Sequence, residues 1–138
     1  MPSAFHMFPE DNFVISLHWG VMTAREHSAL IQEYRRHPEA HPMQDCLVDF
    51  THVTDYEITF STLLFEISSL QLPDVRPDLS RMAILAPTDV GYGVARMYES
   101  VIDGRLSTTP RVFQTRPEAF SWLRRDDGPR YRLTPPLP

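Results

Sequence analysis

The chain of 138 residues has no lysine and only one cysteine, Cys46. Because all its basic residues are arginines, it cannot supply a Schiff-base lysine, a phosphate-loop lysine or a lysine general base. A single cysteine forms no internal disulfide, so nothing in the sequence indicates an oxidising compartment. Cys46 lies in an apolar run, where we expect a buried and unreactive thiol.

Long hydrophobic runs are also missing. No window approaches the roughly 18 apolar residues that span a bilayer, and residues 1–6 lack the basic and apolar segments of a signal peptide. We therefore expect no membrane insertion and a cytoplasmic location in a bacterial type of cell. The length suits one domain, which we place at residues 1–125. Residues 126–138 read as an irregular, proline-rich tail with little to bury, so we expect truncation at Gly128 to leave stability intact.

The charge is unevenly distributed along the chain. Residues 1–103 hold 6 arginines and 15 acidic residues, whereas residues 104–138 hold 7 arginines and 3 acidic residues. The net charge of −5 argues against nucleic-acid binding, which depends on neutralising phosphates. The basic C-terminal third fits either an acidic partner or an ordinary solvated surface.

Four helices are predicted. A Thr-x-x-Glu pattern at residues 23–26, 54–57 and 115–118 predicts three helix N-termini, because the threonine and glutamate side chains can satisfy free backbone amides there. The first of these helices should end at His37 and the second before Pro73. A further helix has apolar residues at helical spacing from Val90 to Val101, and Gly104 fits its left-handed stop.

Short apolar runs between the helices predict strands, at residues 4–8, 12–19, 46–48, 82–86 and 112–113. In the second of these runs the polar residues alternate with apolar ones, which predicts one solvent-exposed face. The resulting order is ββαβαβαβα, an α/β fold with a mostly parallel sheet and an antiparallel N-terminal hairpin.

One segment suits a small anion. Residues 86–96 follow a predicted strand and open a helix, where free amides and the helix dipole favour negative charge. We select Thr88, Gly91, Gly93 and Arg96 as candidate anion-binding or ligand-binding residues. The alternative is close packing of the helix on the sheet, and the third glycine of a dinucleotide fingerprint is missing.

The second helix has more apolar residues than one sheet face can cover. Ile58 and Phe65 lie off its main apolar stripe, and uncovered apolar side chains usually mark an interface or a ligand groove. We therefore predict a homodimer that uses Tyr56, Ile58 and Phe65.

The sequence offers no local catalytic or metal-binding motif. His37 and His41 flank a proline that breaks the helical spacing of a metal site, so we expect no metal and no cofactor. Asp49 and Asp55 could act as an acid–base pair, but aspartates beside a strand-to-helix loop more often cap backbone amides. We therefore predict no catalytic residues and a protein that is not an enzyme.

Several segments taken together resemble the STAS-like superfamily, specifically its SpoIIAA-like branch of small bacterial proteins. They are residues 19–26, 47–53, 93–99 and 112–123, and the similarity spans roughly residues 5–124. The resemblance implies a sheet of four or five strands with helices packed largely on one side. It also implies a non-enzymatic role in protein interaction or regulation.

Better-known proteins of this kind are switched by phosphorylation of a serine at the start of the second helix. This sequence has Thr54, Asp55, Tyr56 and Glu57 there, and the two acidic residues would repel an added phosphate. Two other functions stay open. One is a carrier or sensor of a small apolar or lipid-like ligand, held between the sheet and the second helix beside Phe60 and Leu64. The other is an enzyme whose site is assembled only in three dimensions.

Overall fold

The structure, a computed structural model, describes residues 3–70 and 80–136. Five strands form one sheet in the order β1–β2–β3–β4–β5. The strands are β1 (Ser3–Phe8), β2 (Phe13–Thr23), β3 (Asp45–Glu57), β4 (Ser80–Leu85) and β5 (Thr108–Phe113). The helices are α1 (Ala24–Arg35), α2 (Phe60–Ser68), α3 (Asp89–Ile102) and α4 (Arg116–Leu123). The predicted order ββαβαβαβα is confirmed.

The sheet is mixed and mostly parallel. β1 and β2 form an antiparallel hairpin through the short 3-10 turn Pro9–Asp11, and β2 to β5 are parallel to one another. Asn12, which closes the turn, has φ 53°, a left-handed conformation that asparagine tolerates better than most residues. The hairpin therefore adds one antiparallel edge strand to an otherwise parallel sheet.

Helices cover both faces of the sheet unequally. Val48 and Ile84 belong to a core shared with α2 and α3, whereas their neighbours Leu47 and Leu85 belong to a core shared with α4. Successive strand residues point to opposite faces, so these two cores lie on opposite sides of the sheet. α1, α2 and α3 share one face, and α4 lies on the other, in agreement with helices packed largely on one side.

Two of the three predicted helix starts are confirmed. Thr23 accepts a hydrogen bond from the Glu26 amide at 3.2 Å, and Thr115 accepts one from the Glu118 amide at 3.4 Å. Gly104 has the expected left-handed conformation, with φ 79°. α1 ends at Arg35, two residues before the predicted His37.

The predicted helix start at Thr54 is wrong. β3 continues through Thr54 to Glu57 because its second half pairs with the end of β2, where Val53 lies opposite Gly20. α2 begins only at Phe60, and the Thr59 and Thr62 side chains form its capping box. The pattern at residues 54–57 is also compatible with an extended strand, and pairing with β2 decides the outcome. The predicted stop at Pro73 lies outside the described residues.

The C-terminal tail packs on the α4 side of the sheet, contrary to our expectation that it has little to bury. Residues Pro129–Tyr131 form a short 3-10 turn, and Tyr131 is only 5% exposed. Its ring stacks on Phe120 of α4 and meets Phe8 and Phe13 edge-on. Because Tyr131 belongs to this core, we no longer expect truncation at Gly128 to be neutral.

Candidate functional site

A cavity of about 420 Å³ lies between the sheet and helices α1 and α3. The strands contribute Phe5, Val14, Ser16, Cys46, Val48, Ser80, Met82 and Thr108. The helices contribute His27, Leu30, Ile31, Tyr34, Arg35 and Tyr98, and the adjoining loops add Gln44, Arg105 and Leu106 among others. Apolar surface predominates in this lining, as it does in most small-molecule sites.

The cavity lies towards the amino ends of the parallel strands. The first or second residue of each parallel strand lines it: Val14 in β2, Cys46 in β3, Ser80 in β4 and Thr108 in β5. α1 and α3 run back across the sheet, so their C-terminal ends reach the same region, and Arg35 ends α1 there. His27, from the first turn of α1, therefore lies at the opposite end of the cavity from Arg35.

We expected one face of β2 to be exposed to solvent. Instead, that face lines the cavity or lies beside it. Val14 and His18 are buried and Ser16 is half-buried. The expectation of an exposed face is therefore wrong, because α1 covers the polar side of β2. The sequence signal was the serine and histidine at alternate positions of this strand, because periodicity alone does not show whether such a polar face is exposed or enclosed.

Two buried histidines meet beside the cavity. The rings of His18 and His27 lie 5.3 Å apart between centroids, and His27 meets the Tyr98 ring edge-on at 4.4 Å. Burial lowers the pKa of His27 to about 4, and burial together with the nearby His27 lowers the pKa of His18 well below its usual value. Both imidazoles are therefore neutral at pH 7.

Several buried polar atoms of the cavity lining have no hydrogen-bond partner among the described residues. They are both ring nitrogens of His27, the amide nitrogen of Gln44 and the hydroxyl of Thr108. The other end of the Gln44 amide is occupied, because Tyr34 donates its hydroxyl hydrogen to Gln44 Oε1. Buried polar groups are nearly always satisfied in folded proteins, so unmet groups at a cavity indicate atoms available to a bound molecule.

The sulfur of Cys46 also lines the cavity. Burial, reinforced by the neighbouring Asp45 carboxylate, raises the pKa of this thiol to about 12. The thiol is protonated at neutral pH, as expected for an unreactive cysteine, since the thiolate is the reactive form. Burial likewise raises the pKa of Tyr34 and Tyr98, so these two hydroxyls are protonated at pH 7.

The residues of the expected anion site are only partly brought together. Thr88 caps α3 by accepting a hydrogen bond from the Gly91 amide at 3.0 Å, and a Cβ at Gly91 would meet the Tyr56 hydroxyl at 2.7 Å. Gly93 is exposed, and Arg96 pairs with Glu99, one turn further along the helix, at 3.1 Å. Arg96 is thus directed along α3 and away from Thr88, and anion binding here stays a prediction.

The expected dimer surface is also divided. Phe65 is 69% exposed, whereas Ile58 and Tyr56 are half-buried and pack against the core. The apolar pocket expected beside Phe60 and Leu64 is not where the cavity lies, because Phe60 is 51% exposed and neither residue lines the cavity.

Asp49 and Asp55 serve local backbone groups. Asp49 is buried, accepts hydrogen bonds from the Thr51 amide and hydroxyl, and lies 3.6 Å from Arg116. Asp55 is exposed and accepts a hydrogen bond from the Tyr56 amide.

Within residues 3–70 and 80–136, no three histidine, cysteine or acidic residues are grouped to hold a metal ion. No helix in that part of the chain is long and apolar enough to cross a membrane.

Comparison with known proteins supports the fold. No protein-family model and no curated protein matches this sequence. A solved structure from Shewanella loihica PV-4 is similar, and it is described as an uncharacterized protein from the DUF3478 family with a SpoIIAA-like fold. The match has 16% identity and a TM-score of 0.50, and it covers 88% of this chain and 91% of the other. The SpoIIAA-like fold expected from the sequence is therefore confirmed.

Proposed function

We propose that this protein is a non-enzymatic carrier or sensor that binds a small, largely apolar ligand between the sheet and helices α1 and α3. The cavity carries the proposal. Its volume of about 420 Å³ lies in the range of roughly 300–1,000 Å³ that is usual for ligand sites. Apolar side chains surround it, and a few unmet polar atoms are available to orient a guest.

The chemistry of the lining favours binding over catalysis. Ser16 and His18 form a hydrogen bond of 2.8 Å, which resembles a nucleophile–base pair. Among the described residues, no carboxylate bonds to His18 and no acidic side chain lines the cavity. A nucleophile–base pair of this kind normally needs a third group that orients the base. We therefore interpret the neutral His27 as part of the binding surface, with His18 packed behind it.

A cavity-filling variant tests the proposal. Val14 lines the cavity from β2, so Val14→Phe places a larger side chain in the space that a ligand needs. We expect 1-decanol to bind the unchanged protein, because each buried methylene contributes about 0.8 kcal/mol. Val14→Phe should weaken that binding at least about tenfold, as measured by isothermal titration calorimetry.

Val21→Phe is the matched control, because it makes the same change on the same strand at a position 41% exposed and outside the cavity. It should bind 1-decanol as the unchanged protein does. A protein that does not bind the alcohol, or that loses binding equally in both variants, contradicts the proposed site. Thermal melts of both variants check that they fold.

A role in protein interaction is the second candidate, and exposed aromatic residues on α2 favour it. Phe60 and Phe65 are 51% and 69% exposed, and solvent-exposed apolar side chains of this size often mark interfaces. We propose that they contribute to a homodimer, since most soluble oligomers are symmetric pairs.

Light scattering after size exclusion tests the dimer. The expected mass is twice the 16.0 kDa of one chain, and Phe65→Ser should reduce it to 16.0 kDa. Met43→Ser is the control, because Met43 is similarly exposed but precedes β3, away from α2. A mass of 16.0 kDa for the unchanged protein at micromolar concentration would rule out the dimer.

A further inference from the structure

We propose that the ligand is an amphipathic carboxylate whose acid group lies at the amino end of β3, β4 and β5, against Arg105, Gln44 and Thr108. Its apolar body then extends under α1 and α3 towards His27. This inference rests on the proposed ligand-binding function and specifies the chemistry of the same cavity.

The unmet hydrogen-bond donors are the first argument. Gln44 immediately precedes β3 and Thr108 begins β5, on either side of Ser80 at the start of β4, so all three positions lie at the same end of the sheet. Gln44 Nε2 and Thr108 Oγ1 are buried without a partner among the described residues. An amide nitrogen donates two hydrogens and a hydroxyl donates one. Carboxylate oxygens are the strongest common acceptors for such groups.

The distribution of charge is the second argument. Arg105 follows α3, lines the cavity and makes no ion pair with a described residue. Among the described residues, no aspartate or glutamate lines the cavity. The C-terminal ends of α1 and α3 contribute partial negative charge here, but the Arg105 guanidinium carries a full positive charge. The side-chain charge that Arg105 adds among the described lining residues therefore favours an anion.

The rest of the lining explains why the ligand must also have an apolar body. Leu30, Ile31, Val48 and Met82 offer only hydrocarbon and thioether surface. His27, beyond them, is neutral because burial lowers its pKa to about 4. Among the described lining residues, none places a positive charge beside His27, so the acid group belongs at the Arg105 end.

Matched probes test the head group. Decanoate and 1-decanol share one apolar chain and differ in charge, and both are titrated calorimetrically at pH 8. We expect decanoate to bind about tenfold more tightly than 1-decanol to the unchanged protein. Arg105→Met should remove most of that difference while leaving the affinity for 1-decanol within about twofold. Arg25→Met is the control, because Arg25 is an exposed arginine of α1 outside the cavity.

The outcomes separate this inference from the function on which it rests. If 1-decanol binds and decanoate binds no better, the carboxylate inference is wrong and the apolar carrier stands. The inference also fails if decanoate binds more tightly but Arg105→Met and Arg25→Met reduce its affinity equally. If neither probe binds, the proposed function itself fails. Thermal melts show whether Arg105→Met folds, and Arg105→Gln provides a second uncharged variant that keeps a polar side chain.

Discussion

Ending the chain after Asp127 is expected to lower the free energy of unfolding by about 3–5 kcal/mol, the usual cost of removing a large buried aromatic side chain. The truncation removes Tyr131, whose ring lies 5.1 Å from Phe8, 5.2 Å from Phe13 and 5.8 Å from Phe120, between centroids. Without it, these three aromatic residues from β1, β2 and α4 lose their shared partner. The core between α4 and the sheet would then be open to water.

Polar contacts hold the same segment in place. The Tyr131 hydroxyl donates to Asp11 Oδ2 at 2.7 Å, and Arg130 forms an ion pair with the same carboxylate. Arg116 of α4 donates to the Tyr131 carbonyl at 3.2 Å and to Asp127 at 2.9 Å. The tail therefore connects the β1–β2 turn to α4, two parts of the molecule that are distant in sequence.

Urea melts of four proteins measure this effect. A chain ending at residue 127 should unfold at much lower urea than the full chain. A chain ending at residue 134 keeps Tyr131 and Leu133, so it should match the full chain to within about 0.5 kcal/mol. Tyr131→Phe retains the ring and should lose only about 1 kcal/mol with its hydrogen bond. Equal stability of the 127-residue chain and the full chain would show that the tail does not contribute to the core.

Local patterns in the sequence were sufficient to predict most of the architecture. The alternation of strands and helices, the caps at Thr23 and Thr115 and the stop at Gly104 all depend on residues close together in the chain. Such signals survive in the folded protein because they act within one or two turns. The failure at Thr54 has the opposite cause, since pairing of β3 with β2 overrides a local helix signal.

The cavity and the docked tail could not be predicted because each joins distant parts of the sequence. His18 and His27 come from a strand and a helix, and their contact depends on how α1 crosses the sheet. Tyr131 meets Asp11 across 120 positions of sequence. The alternating pattern of β2 was visible, but only the packing of α1 showed that its polar side is enclosed. Polar residues on a strand are therefore ambiguous between a solvent face and a binding cavity.

Acidification from pH 7 to pH 4 is expected to lower the free energy of unfolding by about 3 kcal/mol through His27 alone. Burial lowers the pKa of His27 from 6.5 to about 4, and one pKa unit corresponds to about 1.36 kcal/mol. Between these two values the unfolded chain binds a proton that the folded protein does not. The contribution of His27 to the free energy of unfolding is therefore highest above pH 6.5, decreases as the pH falls, and stops decreasing below about pH 4.

His18 adds to this loss with the same sign, because its pKa is also lowered by burial and by the neighbouring His27. Among the described residues, two carboxylates have a pKa lowered below the ordinary value of 3.8. Hydrogen bonds from Tyr131 and Arg130 lower the pKa of Asp11, and hydrogen bonds from Arg116 lower that of Asp127. Their contribution is lost mainly below pH 4. The interval from pH 6.5 to pH 4 therefore reports chiefly on the two buried histidines.

Replacing His27 separates its contribution from that of His18. His27→Phe keeps an aromatic ring against His18 and Tyr98 but cannot bind a proton. Urea midpoints measured at half-unit steps from pH 7 to pH 4 should fall less steeply in this variant, because its unfolded chain takes up about one proton fewer on acidification. His6→Phe, at an exposed position of β1, is the control and should keep the original slope.

Identical slopes in all three proteins would mean that His27 is protonated equally in the folded and unfolded chains, so water must reach the imidazole in the folded state. The cavity would then be hydrated at its His27 end, and the apolar body of a ligand would have to displace that water.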